Sequence, residues 1–239
     1  MTVQLFIPCF VDQLYPQTAF NMAKVLEKAG CTVDYNVNQT CCGQPAFNAG
    51  FWDDCKDVCT KFIKDFRGAD YIVAPSASCV GFVRNYFPTL FDNSSYHNDV
   101  KDLQKRTYEF SEFMINVLKV EDIGASFHAK ATYHDSCAGL RECHIKEEPR
   151  TLLSRVKGLE LVEMNDVETC CGFGGTFAVK FDAISIGMAD QKSLNAKNTG
   201  AECIISTDLS CLMHLDGYIR KKGWPLQTMH IADVLASGW

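Results

Sequence analysis

The sequence predicts an α/β protein made of two pseudo-symmetric tandem halves, each a small, mainly parallel sheet with flanking helices. Three observations predict it. Short apolar runs alternate with amphipathic ones in the order strand, helix, strand, helix, strand, which favours right-handed crossovers between parallel strands. That order restarts near residue 125. The stretch Ala69–Cys79 also aligns without a gap on Ala201–Cys211, and both end in Ser-Cys. The chain therefore reads as a duplication, with one half spanning residues 1–122 and the other residues 123–239.

In the first half, Val3–Ile7 is a short apolar strand that ends at Pro8-Cys9. Between Pro16 and Ala29, Ala19, Met22, Ala23 and Leu26 recur at helical spacing, and Gly30 is a natural stop. Cys31–Val37 alternates as a strand does and leads into Cys41-Cys42-Gly43. From Asn48 to Phe66 one helical face carries Phe51, Cys55, Val58, Cys59, Phe62 and Phe66. Tyr71–Ala74 is a buried type of strand that stops at Pro75. The polar stretch from Phe91 to Lys105 reads as a surface loop or an insertion. Glu109–Leu118 reads as a helix with an apolar face that closes the half.

The second half repeats the scheme. Lys130–Tyr133 is a strand that ends at His134-Asp135-Ser136-Cys137. Arg150–Val156 is a helix, Leu159–Met164 a strand and Ile184–Asn198 a helix stopped by Gly200. Ala201–Ser206 is the last strand before Cys211, and His230–Leu235 echoes Glu109–Leu118.

At 239 residues and 47% hydrophobic, the chain can bury a core without disulfide staples. No apolar run approaches the ~20 residues a bilayer span needs. The chain enters structure directly at Met1-Thr2-Val3, with no secretory pattern, so a cytoplasmic protein is expected. A net charge of −6 and the lack of a dense basic patch argue against nucleic-acid binding. Arg220-Lys221-Lys222 reads as a helix end, where the helix dipole favours cations.

The cysteines carry the chemistry. There are thirteen, an odd number, and in a reducing compartment cysteines serve as metal ligands or redox groups rather than as disulfides. In the first half, thirty-one residues separate Cys9 from Cys41-Cys42, and thirty-six more lead to Cys79. In the second, thirty-two residues separate Cys137 from Cys170-Cys171, and thirty-nine more lead to Cys211. Adjacent cysteines rarely bridge each other, because the ring they close is strained. Two neighbouring thiolates can instead face one metal centre, and the glycine after them lets the backbone approach it. All eight cysteines fall at or beyond the C-terminal ends of predicted strands, the edge at which open α/β sheets bind ligands. Four thiolates per half suit an iron–sulfur cluster or zinc.

The remaining cysteines are less telling. Cys55 and Cys59 lie on a helix's apolar face, and Cys31 and Cys203 lie on or beside buried strands, so these read as core. Cys143 is a spare donor or a core residue. Gly172-Phe173-Gly174-Gly175 lacks the spacing of a dinucleotide loop, and its amides are expected to face sulfur.

The segments Ile7-Pro8-Cys9, Cys41-Cys42-Gly43-Gln44-Pro45, His134-Asp135-Ser136-Cys137 and Cys170-Cys171-Gly172-Phe173-Gly174-Gly175 resemble the cysteine-rich CCG domain family. That family includes a cysteine-rich component of heterodisulfide reductase and the iron–sulfur subunit of glycolate oxidase. In length and architecture the chain is similar to the family's lactate-utilization members, which consist of two such domains and no ferredoxin-type segment. The resemblance implies an electron-transfer subunit of an L-lactate-oxidising complex rather than a complete enzyme. It implies one or two [4Fe-4S] clusters on Cys9, Cys41, Cys42 and Cys79 and on Cys137, Cys170, Cys171 and Cys211, with zinc in one site as an alternative. The implied partners are a ferredoxin-type iron–sulfur protein and a third lactate-utilization subunit, since the chain has no flavin or NAD motif.

The chain departs from the full family pattern twice. Each copy of that pattern ends in Cys-x2-Cys, whereas here Ser76 and Asp208 stand at the first position of the pair. Either could supply an oxygen ligand, and Asp208 equally suits a helix N-cap. A disulfide reductase like heterodisulfide reductase is the alternative from another class, and a zinc-stabilised docking module is a third. His134, three residues before Cys137, is a candidate to hydrogen-bond cluster sulfur, as is His214 three residues after Cys211.

Overall fold

The computed structural model describes residues 1–239. The first half runs β1 (Thr2–Leu5), α1 (Cys9–Leu14), α2 (Pro16–Lys28), β2 (Thr32–Tyr35), α3 (Gln44–Ala49), α4 (Trp52–Asp65), β3 (Ile72–Ala74), α5 (Ala77–Asn85), α6 (Phe87–Leu90), α7 (His97–Arg106), β4 (Thr107–Glu109) and α8 (Phe110–Glu112). A π-helical turn, Phe113–Val117, follows. The second half runs β5 (Ser126–Tyr133), α9 (Cys137–Arg141), α10 (Glu147–Ser154), β6 (Lys157–Leu161), α11 (Thr176–Lys180), α12 (Asp182–Asn198), β7 (Cys203–Ser206), α13 (Leu209–Lys222), β8 (Gln227–His230) and α14 (Ile231–Leu235).

The strands form two four-stranded sheets, ordered β2-β1-β3-β4 and β6-β5-β7-β8, and every pairing is parallel. Parallel strands need covered faces. The inner strands β3 (Ile72, Val73, Ala74) and β7 (Cys203–Ser206) are accordingly buried along their whole length. Equivalent hydrogen bonds fix the pseudo-symmetry. Phe6 N–H donates to the Val73 carbonyl at 2.9 Å, and His134 N–H donates to the Ile205 carbonyl at 2.8 Å.

Two segments differ from the sequence reading. The polar stretch between residues 91 and 105 is not a loop, because His97–Arg106 is the helix α7. It buries only Val100 and Leu103, three apart on one face, and that single apolar step is too short to register as a pattern. Residues 109–118 are not one helix either. Glu109 ends β4 and caps α8 by accepting from the backbone N–H groups of Ser111 and Glu112, and the chain then widens into the π turn. The apolar set predicted there still faces inward, with Phe110, Phe113 and Met114 fully buried.

The halves do not have separate cores. A single apolar cluster joins Val11, Met22 and Val25 of the first half to Leu212, Leu215 and Ile231 of the second. Helix α2 lies against α14, where Asp233 accepts from Thr18 Oγ1 and Asn21 Nδ2, each at 2.9 Å. In return, Cys143 and Ile145 of the second half pack into the phenylalanine-rich core of the first.

Candidate metal centres

Each half gathers its four predicted cysteines through the same local devices. Cys9 opens α1 and Cys137 opens α9, each just beyond the end of its strand. Cys79 and Cys211 lie in the first turns of α5 and α13, beyond β3 and β7. The paired cysteines sit in loops between β2 and α3 and between β6 and α11.

In the first half, Cys9 Sγ lies 3.6 Å from Cys41 Sγ, and Cys42 Sγ lies 3.5 Å from Cys79 Sγ. In the second, Cys137 pairs with Cys170 and Cys171 with Cys211. None of these cysteines is in a disulfide. They grade from the exposed Cys9 through half-buried Cys41, Cys79, Cys137 and Cys170 to buried Cys42, Cys171 and Cys211, so each set spans from the surface into the core.

The charge within each set is uneven. Cys41 is held down to about 3 by hydrogen bonds from Cys42 and Cys9, helped by the backbone N–H of Gly43. Cys170 falls to about 2 through hydrogen bonds from Cys137 and Cys171 and from Gly172 N–H. The same contacts, together with burial, push Cys9, Cys42, Cys137 and Cys171 up. In each half the loop cysteine that accepts these hydrogen bonds, Cys41 or Cys170, is the one best placed to carry negative charge. A cation placed there would favour thiolates throughout the set.

The loop glycines are required. Gly43 has φ +97° and Gly172 φ +93°, in the left-handed region that glycine adopts at little cost. A Cβ on Gly172 would lie 2.7 Å from the Ser185 carbonyl oxygen, and one on Gly43 would lie 3.0 Å from Cys59 Sγ. The turn at each glycine aims amides at sulfur. Gly43 N–H donates to Cys41 Sγ and Gly172 N–H to Cys170 Sγ, both at 3.4 Å, and Phe173 N–H donates to Cys171 Sγ at 3.5 Å.

Cys55 and Cys59 are buried, as expected of core residues, and they also hold the first loop from below. Their thiols donate to the carbonyls of Gly43 and Cys42, each at 3.4 Å. In the second half Ser185 does this for Gly172, at 2.7 Å, and its Oγ also meets His214 Nε2 at 3.1 Å. Cys143 donates to the Ala77 carbonyl at 3.4 Å rather than to a cysteine of either set, and burial raises it to about 12.

Ser76 and Asp208 meet each other rather than the sulfurs. They form an isolated antiparallel bridge between the halves. Asp208 Oδ1 accepts from Ser210 N–H at 3.2 Å and from its Oγ at 2.6 Å, while Oδ2 accepts from Ser78 N–H at 2.8 Å. The N-cap reading of Asp208 describes Oδ1, while Oδ2 reaches across to the start of α5.

His134 is fully buried, and neither ring nitrogen has a hydrogen-bond partner. A ring nitrogen, Cys171 Sγ and Cys211 Sγ all lie within 4.8 Å of one another. Sequence reasoning missed the residue behind it. Lys192 is fully buried, and its Nζ donates to the carbonyls of Asp166 at 2.9 Å and Val167 at 2.7 Å. A lone lysine on a polar-looking helix gives no signal of burial.

The residues fit a metal centre in each half: free thiols in contact, amides aimed at their sulfurs, and glycines that let each loop turn tightly against the helix behind it. No helix is long and apolar enough to cross a membrane.

Comparison with known proteins identifies the family. A family model described as the cysteine-rich domain CCG matches residues 3–84 and again 131–216. Lactate utilization protein A of Halalkalibacterium halodurans is 45% identical over 235 residues, covering 98% of this chain and 96% of that protein. The protein of the same name from Bacillus subtilis is 43% identical over 238 residues, covering 99% of this chain and 100% of that one. Among solved structures, a hypothetical protein from Helicobacter pylori shares the fold at a TM-score of 0.61 and 12% identity, and this chain spans 49% of its length. With two domain matches and relatives similar along its whole length, this chain belongs to the cysteine-rich CCG domain family.

Proposed function

We propose that this chain is an iron–sulfur electron-transfer subunit of an assembly that oxidises L-lactate. The observation that carries the reading is the pair of equivalent four-thiol sets, Cys9, Cys41, Cys42 and Cys79 and then Cys137, Cys170, Cys171 and Cys211. The lactate part rests on relatives named lactate utilization protein A. A [4Fe-4S] cluster held by either set would supply one-electron chemistry. The protein's own share is to bind and tune. The amides of Gly43, Gly172 and Phe173 stabilise negative charge on sulfur, and the sheet edges hold the ligands in place.

The domains follow the same division, residues 1–122 and 123–239, with one centre each. A subunit of this kind needs partners, and we propose a ferredoxin-type iron–sulfur protein and a third subunit that takes electrons from lactate. Unpaired thiols suit the reducing cytoplasm, where we place the assembly.

The test is reduction of the chain by substrate. Mixed anaerobically with its partners, the chain should bleach in the visible when L-lactate is added, but not with glycolate or glycerol 3-phosphate. Bleaching by glycolate instead would move the subunit to another oxidase. Steady disulfide turnover by the chain alone would favour the disulfide reductase reading.

A further inference from the structure

The two halves differ behind their cysteines. Phe6 and His134 are equivalent, each three residues before the first cysteine and each donating its N–H to the matching strand. Phe62 and Lys192 are also equivalent, each seven residues after the side chain that holds the loop glycine's carbonyl, Cys55 in one half and Ser185 in the other. In the first half this pair is an edge-to-face aromatic contact with centroids 4.8 Å apart. In the second it is an imidazole with two unpartnered nitrogens and a buried ammonium. A buried polar group without a partner is costly, so a fully buried histidine needs something to bind. What lies within reach of its nitrogen is the sulfur of Cys171 and Cys211.

We propose that His134 is a fifth donor to the second centre, binding metal through a ring nitrogen beside Cys171 and Cys211. This rests on the reading that the cysteine sets bind metal. The halves then hold chemically different centres, with sulfur alone in the first and sulfur plus nitrogen in the second. Lys192, anchored on the carbonyls of Asp166 and Val167, supplies a buried positive charge beside the second set only. Imidazole ligation and nearby positive charge both favour the reduced form of a cluster, so the second centre is reduced first.

The test uses the full chain, purified anaerobically and reduced with dithionite. Cys42→Ala removes the first centre, and pulsed EPR then reads the second. A nitrogen coupling that changes when only the histidines carry nitrogen-15, and that is lost in His134→Phe, is the expected result. If the metal is zinc, which binds four donors, zinc-edge X-ray absorption of the same variant should show the His134 nitrogen in place of one sulfur. A filled second centre with no histidine coupling, or with sulfur donors only, overturns the proposal and leaves the cysteine sets intact. A chain with no metal in its second half overturns both. The labelled protein with His134 in place decides the question even if His134→Phe fails to fold.

Discussion

Asp208 of the second half accepts a hydrogen bond from the backbone N–H of Ser78 of the first, at 2.8 Å. Ser78 lies in the first turn of α5, and that helix's own N-cap residue, Ser76, makes no side-chain cap bond. One carboxylate therefore caps two helices, its own α13 and α5 across the pseudo-symmetry axis. Each of those helices carries a cysteine of its half's set in its first turn, Cys79 and Cys211.

Asp208→Ala should therefore loosen both centres. The loss of one cap typically costs about 1 kcal/mol, and here two helix starts depend on the same group. We expect a loss of about 2 kcal/mol in a denaturant melt, with metal falling in both halves. Metal loss confined to the second half would show that the Ser78 contact does not hold α5.

The loop glycines should differ in severity. Forcing an ordinary residue into the left-handed region costs about 1–2 kcal/mol at either site. At Gly172 the added carbon also meets a backbone oxygen at 2.7 Å, whereas at Gly43 it meets a side-chain sulfur at 3.0 Å. Gly172→Ala should lower the melting temperature and metal content more than Gly43→Ala does. Equal effects would mean that backbone strain alone decides.

Asp135 is buried, and both its oxygens are paired with Arg150, at 2.9 and 3.0 Å. Arg150→Met would strand that charge one residue from His134. Removing one partner of a buried pair costs about 3–5 kcal/mol, so chemical denaturation should show a loss approaching that range. Arg150→Lys should recover only part of it, since an ammonium cannot bridge both oxygens as the planar guanidinium does.

Glu109 gives a pH dependence. Burial raises its carboxyl from 4.5 to about 8, and its Oε1 has no partner. The folded chain therefore keeps a proton that the unfolded chain has released over this interval, and stability from this group falls as pH rises from about 4.5 to about 8. Glu109→Gln cannot release that proton. The stability difference, variant minus wild type, should increase with pH across this window, by at most about 1.4 kcal/mol per unit. A flat difference would contradict the buried protonated state.

Much of the site was legible because its signal is a repeat of an uncommon residue. The spacing of Cys9, Cys41-Cys42 and Cys79 returns in Cys137, Cys170-Cys171 and Cys211, and the strands that present them are short apolar runs. What was not legible depends on contacts distant in sequence. Helix α7 shows two apolar residues to the core, so its composition reads as loop. Lys192 is buried by carbonyls 25 and 26 residues away, and nothing local announces them. Ser76 and Asp208 stood in ligand positions by alignment, yet the pseudo-symmetry axis turns them toward each other.

The most direct measurement is the iron, sulfide and zinc content of the anaerobically purified chain beside Cys42→Ala and Cys171→Ala. The account predicts about eight irons per chain with matching sulfide, as two four-iron clusters require. Each variant should lose the iron of its own half alone. Zinc without sulfide, or iron unchanged in both variants, would contradict the claim that the two cysteine sets hold the redox centres.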